Sequence, residues 1–206
     1  DFWASELKET GYLHNHARMW FASIWIFTLN LPWQLGADFF LRHLLDGDPA
    51  SNTLSWRWVA GLQTQGKTYL ARRDNISKFT IDRFDPIGLS GSAIPLKGKP
   101  HPNISMLNLS NLTNPNVRTG LLIHDDDLDI SPVINNLKIE SAIAINNLDQ
   151  MSPWSCSKSA HTFVNSLIED VSIRYKDKIG AVKLVKTANQ VENWYRENEI
   201  EQIVVA

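Results

Sequence analysis

The order of apolar and polar positions divides the chain into three parts. Residues 1–80 predict helices separated by proline and glycine, whereas residues 81–118 are rich in Asn, Ser, Pro and Gly and predict an irregular connector. From residue 119, short apolar runs alternate with amphipathic runs, which is the pattern of a parallel α/β sheet. The sequence therefore predicts an α-helical domain, a connector and an α/β domain.

The helical part contains two segments whose limits follow from helix-breaking residues. Residues 15–29 contain neither proline nor glycine, and Pro32 then closes the predicted helix. Residues 35–45 predict a second helix, which Gly47 ends.

A third helix is predicted from its first residues. Asp48 suits the N-cap, and Pro49 suits the first helical position, where its missing N–H costs nothing. We expect this helix to continue to about residue 62, with Gly61 near its end.

Residues 61–68, GLQTQGKT, match the phosphate-binding loop of ATP- and GTP-hydrolysing proteins. Such a loop needs a strand before it and a helix after it, so that backbone N–H groups surround the phosphates. Here a helix is predicted before Gly61, and we expect Asp74 and Asn75 to interrupt any helix that follows. We therefore interpret the segment as a helix-ending turn with an exposed Lys67, and an NTPase remains a distant alternative.

The α/β part alternates regularly between the two kinds of element. Strands are predicted at residues 120–124, 142–146, 181–185 and 202–206, and helices at 158–175 and 187–198. The last strand has no turn or polar tail after it, and the chain starts at Asp1 rather than Met. We therefore expect a piece of a longer protein, in which the helical domain is partial and the α/β domain is truncated.

Composition and charge narrow the possible functions. The 206 residues carry a net charge of −2, which does not favour a general binder of nucleic acid or acidic lipid. Cys156 is the only cysteine, so an internal disulfide is excluded and a reducing, cytoplasmic location is expected. The most apolar run, residues 21–31, is too short to cross a bilayer and contains Asn30, so we expect no membrane partner.

Three motifs between residues 10 and 61 occur in a characteristic order and spacing. They are LHN-x-x-RM, LPW followed by G-x-x-FF, and DGD-x-A-x-N-x-x-x-W-x-W. This stretch resembles the C-terminal FAD-binding helical domain of the DNA photolyase and cryptochrome family, and most closely a bacterial branch in which an α/β segment follows. The resemblance implies FAD as cofactor. For the intact protein it implies light-driven electron transfer from reduced FAD to pyrimidine dimers in DNA.

Arg18 and two aspartates are candidate ligands of the flavin. Asp46 and Asp48 flank Gly47, and if Asp48 caps a helix, Asp46 is free to meet a cation. Arg18 is the candidate because an unpaired charge on its apolar helix would be costly. From the residues alone, a salt bridge between helices without a ligand is the favoured interpretation, and the resemblance reverses this preference. The resemblance places the pair against the isoalloxazine ring and adds Asp48 to the cofactor site.

The resemblance also assigns roles to two asparagines. Asn52 lies one turn before Trp56, so the two share a helix face. In the family the matching asparagine bonds the flavin near N5, and Asn15 matches a residue that contacts flavin and lies near DNA. The alternatives are a polar helix face for Asn52 and a helix cap for Asn15.

Two pairs of residues match electron-transfer and substrate positions of the family. Trp33 and Trp56 match the tryptophans nearest the flavin in its electron-transfer chain, and Met19 and Trp58 match residues that line the substrate-base pocket. An aromatic face in such a pocket would stack on a flipped base. The remaining tryptophans are expected in the core: Trp3, Trp20, Trp25, Trp154 and Trp194.

Other functions remain as alternatives. A cryptochrome-type photoreceptor, or a relative that no longer binds flavin, would share the same motifs. A metal is not expected, because His14 and His16 are two residues apart and the acidic segment 124–129 lacks the glycine and spacing of a calcium loop. We expect segment 124–129 to be a solvated loop, and the oligomeric state is left open.

Overall fold

The computed structural model describes residues 1–100, 102–106 and 113–205. The chain forms two compact units, of which the helical unit comprises residues 1–103 and 154–160. The α/β unit comprises residues 104–153 and 161–206. Part of the predicted connector and the end of the last predicted strand, at residue 206, lie outside the described residues.

Across the described ranges, each helix is too short or too polar to cross a membrane.

The helical unit follows the predicted order, with differences at the ends of its helices. The segment predicted as one helix, residues 15–29, changes after Ser23 into a single π-helical turn, in which the Leu29 N–H bonds to the Ile24 carbonyl at 2.9 Å. The elements are α1 (Phe2–Thr10), α2 (Asn15–Ser23), the π-helical turn (Ile24–Thr28), α3 (Trp33–His43), α4 (Pro49–Val59) and α5 (Arg73–Phe79).

Helix α4 begins as predicted, and its position shows whether GLQTQGKT has the geometry of a phosphate-binding loop. The Asp48 carboxylate accepts a hydrogen bond from the Ser51 N–H, and Pro49 occupies the first turn. The helix ends at Val59, and Gly61 adopts φ 76°, a left-handed conformation that favours glycine. Within the described part of the helical unit, the segment thus follows a helix rather than a strand, and the geometry of a phosphate-binding loop is missing.

One predicted helix break is wrong. Asp74 and Asn75 do not interrupt a helix, because α5 starts at Arg73 and places both residues in its first turn. An acidic side chain is favourable there, since it faces the positive end of the helix dipole.

The core of the helical unit is largely aromatic. Trp56 is 2% exposed, and its ring packs edge-on against Phe40 with centroids 5.1 Å apart. Gly36 makes room for this ring, since a Cβ at that position would lie 2.2 Å from the Trp56 indole. Trp20 is buried as predicted, but the core prediction for Trp154 is wrong because that ring is 52% exposed.

Part of the predicted connector packs along the helical unit. The Leu96 N–H donates to the Ala60 carbonyl at 3.0 Å, and the Thr68 hydroxyl donates to the Ala93 carbonyl at 3.2 Å. After α5 the described residues up to 100 form no helix or strand, but Ala93 and Leu96 have hydrogen-bond partners in the helical unit.

The α/β unit contains the predicted parallel sheet. Within the described residues its four strands are β1 (Thr119–Ile123), β2 (Ile139–Ile145), β3 (Val182–Val185) and β4 (Gln202–Val205). They lie in the order β3-β2-β1-β4, and every neighbouring pair is parallel. Strand β2 begins at Ile139, three residues before its predicted start. The prediction placed the start too late because the polar residues Glu140 and Ser141 interrupt the apolar run. The other elements are α6 (Ser131–Ile134), a 3-10 turn (Leu148–Gln150), α7 (Lys158–Arg174), α8 (Lys176–Ile179) and α9 (Ala188–Glu197).

The sheet packs against helix α9 through Trp194. This ring is 3% exposed, its Nε1 donates to the Ser141 hydroxyl at 2.9 Å, and it lies in a group with Ile143 and Ile200. Gly120 on β1 lets the ring approach, because a Cβ there would lie 2.5 Å from the indole.

Candidate functional site

A cleft of about 420 Å³ opens in the helical unit between α2, α4 and the turn after α3. Its volume falls within the range of small-molecule sites, about 300–1000 Å³. The lining residues are Asn15, Arg18, Met19, Ala22, Phe40, Leu44, Asp46, Ser51, Asn52, Leu54, Ser55, Trp56, Trp58, Val59 and Gln63.

Arg18 and Asp46 form an ion pair at this cleft. Arg18 Nη2 lies 3.1 Å from Oδ1 and 3.0 Å from Oδ2 of Asp46, and Arg18 Nε donates to the Leu13 carbonyl at 2.8 Å. The Asp46 side chain is 61% exposed, so the pair contributes little to stability, on the order of 0–1 kcal/mol. The ion pair instead fixes the orientation of the Arg18 side chain, because three hydrogen bonds hold its guanidinium plane in place.

The turn that carries Asp46 is tightly built. A Cβ at Gly47 would lie 2.9 Å from the Leu41 carbonyl oxygen, so the turn has no room for a side chain there. The Leu45 N–H donates to the Gly11 carbonyl at 2.9 Å and ties the turn to the end of α1. Backbone contacts thus hold Asp46 beside Arg18.

The two predicted asparagines both line the cleft. Asn52 Nδ2 donates to the Ala37 carbonyl at 2.8 Å, so its amide oxygen is the atom it can offer to a ligand N–H. Asn15 occupies the first position of α2, and the N-cap is His14, whose ring accepts the His16 N–H at 3.3 Å. The cap alternative for Asn15 is therefore wrong.

The aromatic candidates occupy different depths. Trp56 is buried at the cleft, whereas Trp58 is 38% exposed and stacks on Tyr69 with centroids 5.8 Å apart. Met19 lines the same cleft. Among the described lining residues, Trp33 and Asp48 are missing: Trp33 packs half-buried against the core, and Asp48 caps α4.

The sequence predictions missed several residues of the cleft. Ser51 and Ser55 are four residues apart, so they lie on the α4 face that carries Asn52. Their place in the cleft could therefore have been predicted from this spacing. Gln63 reaches the cleft only because the chain turns after α4, which the spacing does not reveal. Trp25, expected only in the core, contacts Trp56 with ring centroids 6.3 Å apart.

The acidic segment of the α/β unit forms a separate group of polar side chains. It follows β1, and ligand atoms of His124, Asp125 and Asp126 lie within 4.8 Å of one another. The Ser131 hydroxyl donates to Asp129 and holds the pKa of that carboxyl below its usual range. Asp126 is exposed, whereas His124 and Asp125 are half-buried. Inside the loop, the Asp126 N–H donates to the His124 ring at 3.3 Å and the Asp129 N–H donates to Asp127 at 3.0 Å.

Known proteins are similar to the helical part of the chain. The family model described as "FAD binding domain of DNA photolyase" matches residues 1–89. This match supports the photolyase and cryptochrome family for these residues and indicates that they form a FAD-binding domain. Arg18, Asp46 and Asn52 all lie inside the matched range.

Individual relatives agree with the family match. A deoxyribodipyrimidine photo-lyase of Streptomyces griseus is 42% identical over 101 residues, which are 43% of this chain and 22% of that protein. One from Vibrio cholerae is 35% identical over 83 residues, 40% of this chain and 17% of the relative. A cryptochrome DASH of Idiomarina loihiensis is 36% identical over 81 residues, 39% of this chain and 17% of the relative.

The chain thus spans about a fifth of the length of these curated relatives. No solved structure matches it significantly.

Proposed function

We propose that the helical unit binds FAD in the cleft around Arg18, Asp46 and Asn52. The intact protein would then use light to transfer an electron from reduced FAD to pyrimidine dimers in DNA. The observation that carries the proposal is the convergence of these three side chains with Trp56 in one cleft of the matched range.

The character of the cleft fits a flat, partly polar ring system. Its floor is apolar, with the buried rings of Phe40 and Trp56, and its rim carries Arg18, Asp46 and Asn52. Small-molecule sites commonly combine apolar walls with a few polar groups that fix orientation.

The chain's own residues would bind and orient the cofactor. FAD, when bound, supplies the light absorption and the transferred electron. The Arg18 guanidinium, oriented by Asp46, would favour negative charge on the ring beside it. The bond from Asn52 Nδ2 to the Ala37 carbonyl fixes the side-chain amide, and its oxygen, the acceptor atom of the amide, would accept a hydrogen bond from a flavin N–H.

Other assignments follow the family resemblance. We propose that Met19 and Trp58 contact the substrate base, because both line the cleft and the Trp58 ring is exposed. Trp33 and Trp56 would transfer electrons to the flavin, and Asp48 would act through its cap on α4 rather than through direct contact. Asn15 at the rim would face both FAD and DNA. A cytoplasmic location and a site without metal complete the proposal.

A cryptochrome-type photoreceptor is the second candidate. The similarity to the cryptochrome DASH of Idiomarina loihiensis supports it, since its identity and matched length are close to those of the Vibrio cholerae photo-lyase. A receptor would share the FAD cleft but not the repair reaction.

FAD affinity tests the cofactor site. Asp46→Asn should weaken FAD binding roughly 10- to 100-fold, because Arg18 would lose the carboxylate that orients it and with it a charged hydrogen bond to the flavin, which contributes about 1.5–3 kcal/mol. The matched control is Asp74→Asn, since Asp74 is exposed on α5 outside the cleft. Equal affinities of the two variants, measured by flavin fluorescence, would rule out the proposed site.

Repair distinguishes the two functions. Blue light on the reduced, FAD-loaded protein with a dimer-containing oligonucleotide should restore intact pyrimidines. FAD binding without repair would favour the photoreceptor. A protein that binds no FAD would contradict both and identify a relative that has lost the cofactor.

A further inference from the structure

Residues 154–157, which we name the α3 clasp, lie against the end of helix α3. They follow β2 and its 3-10 turn in sequence, yet they belong to the helical unit. The Ser157 N–H donates to the Arg42 carbonyl at 2.8 Å, and Arg42 Nη1 donates to the Ser155 carbonyl at 3.5 Å. The clasp therefore binds both the backbone and the side chain of Arg42.

Arg42 is held from two sides. Its Nε donates to Asp38 at 2.7 Å in a pair whose side chains are less than one-fifth exposed. Its guanidinium lies 5.6 Å from the centre of the Trp154 ring, a cation–π arrangement. Cys156 beside Trp154 is 8% exposed, so the clasp is anchored by burial as well.

The clasp provides a hydrogen-bond donor for a backbone carbonyl at the C-terminal end of α3. The last carbonyls of an α-helix have no partner within the helix. Arg42 is the second-last residue of α3, and Ser157 supplies the partner for its carbonyl. The position at which α3 ends is therefore supported by residues more than a hundred positions later in the chain.

The end of α3 leads directly into the cleft. Leu44 and Asp46, two and four residues after Arg42, both line it, and Asp46 orients the Arg18 guanidinium. Gly47, the residue after Asp46, packs directly on the α3 end, since a Cβ there would lie 2.9 Å from the Leu41 carbonyl oxygen and 3.1 Å from that of Leu44. A shift of the α3 end would therefore pass to Asp46 rather than be absorbed.

We infer that the α3 clasp is a positioning element for the Asp46–Arg18 pair. Trp154 and Arg42 act through the α3 end without touching the ligand. FAD affinity then depends on a segment that lies outside the residues matched by the family model. This inference rests on the proposed FAD site.

Hydrogen exchange of the FAD-free protein tests the clasp directly. Trp154→Ala should accelerate exchange at residues 43–48, because the α3 end loses one of its supports, and Trp154→Phe should restore it by keeping an aromatic face. Tyr195→Ala is the matched control, since Tyr195 is an aromatic residue of similar kind, 37% exposed, on α9. Unchanged exchange at residues 43–48 in Trp154→Ala would overturn the inference.

A double-mutant comparison tests its connection to the ligand. Trp154→Ala alone should weaken FAD binding roughly three- to tenfold, a size typical of losing a partly buried cation–π contact. In an Asp46→Asn background it should have no further effect, because the clasp acts through Asp46. An equal loss in both backgrounds would show general destabilisation and overturn the positioning role. A wild-type protein that binds no FAD would contradict the proposed function, whereas the exchange result would still decide whether the clasp holds the turn.

Discussion

The two units use the same packing device with different consequences. In each, a glycine accepts a buried indole: Gly36 against Trp56 in the helical unit, and Gly120 against Trp194 in the α/β unit. Trp56 also lines the cleft with Arg18, whereas Trp194 lies in a core group of apolar residues. Among the described residues, the indole held by Gly36 therefore lines a candidate ligand site, whereas the indole held by Gly120 belongs to the core.

Filling the two glycine positions should produce the largest effects. Gly36→Val and Gly120→Val each place side-chain atoms where an indole now lies, and overpacking of this kind costs about 1–3 kcal/mol or more. Denaturant unfolding followed by tryptophan fluorescence measures the loss. We expect Gly36→Val to weaken FAD binding as well, and Gly120→Val to leave the affinity unchanged.

Gly91→Val is the control for this pair. Nothing lies within 4 Å of a Cβ built at Gly91, so its substitution should change stability by less than about 0.5 kcal/mol. Loss of FAD affinity in Gly120→Val would contradict our expectation that packing in the α/β unit does not affect FAD binding.

Removing one helix cap from each unit should produce an intermediate effect. Asp48 caps α4 through the Ser51 N–H, and Thr187 caps α9 through the Gln190 N–H. Asp48→Ala and Thr187→Ala should each cost about 0.5–2 kcal/mol of unfolding free energy. Asp48→Ala alone should also weaken FAD binding, because its helix start carries Ser51 and Asn52.

Thr53→Ala is the control within α4, since Thr53 is exposed on the same helix beyond the cap. Should both cap variants lower FAD affinity equally, the effect would be one of general stability. The comparison between the units would then fail.

The smallest effect on stability should come from a change of pH that protonates His43 at the end of α3. Burial lowers the pKa of His43 below its ordinary value of 6.5, although a hydrogen bond to the Phe39 carbonyl opposes the shift. The unfolded chain therefore takes up the proton first as pH falls, and stability is lost from the ordinary value downward towards the folded pKa.

Unfolding curves between about pH 7 and about pH 5.5 measure this loss. His43→Gln removes the titrating group and should reduce the pH dependence of stability. An unchanged pH dependence in that variant would assign the effect to other groups.

Local signals in the sequence predicted several elements well. Asp48 and Pro49 identified the start of α4, because a cap and a proline at the first position depend on a few neighbouring residues. The alternation of apolar and amphipathic runs likewise predicted the parallel sheet. The start of α5 was missed, because Asp74 and Asn75 were interpreted as a break although they suit a first turn equally well.

Contacts between distant residues were harder to predict. The pairing of Arg18 with Asp46 was expected, since a charge on an apolar helix needs a partner. The sequence did not predict that Ser51, Ser55 and Gln63 line the same cleft as Arg18 and Asp46, because this depends on how α2 and α4 pack together. Trp154 was placed in the core on composition alone, but it packs over Arg42 at the surface.

Local patterns were sufficient to predict several helices and the strands of the sheet, and to identify Arg18 as the residue of α2 that needs a charged partner. Those properties follow from caps, periodicity and the cost of an unpaired charge, all of which are local. The contacts of Gly36 and Gly120 with indole rings, and the hydrogen bond from the Ser157 N–H to the Arg42 carbonyl, could not be predicted and became visible in the folded chain. These contacts join residues far apart in the chain, and their geometry is set by the packing of whole helices and strands rather than by any short pattern.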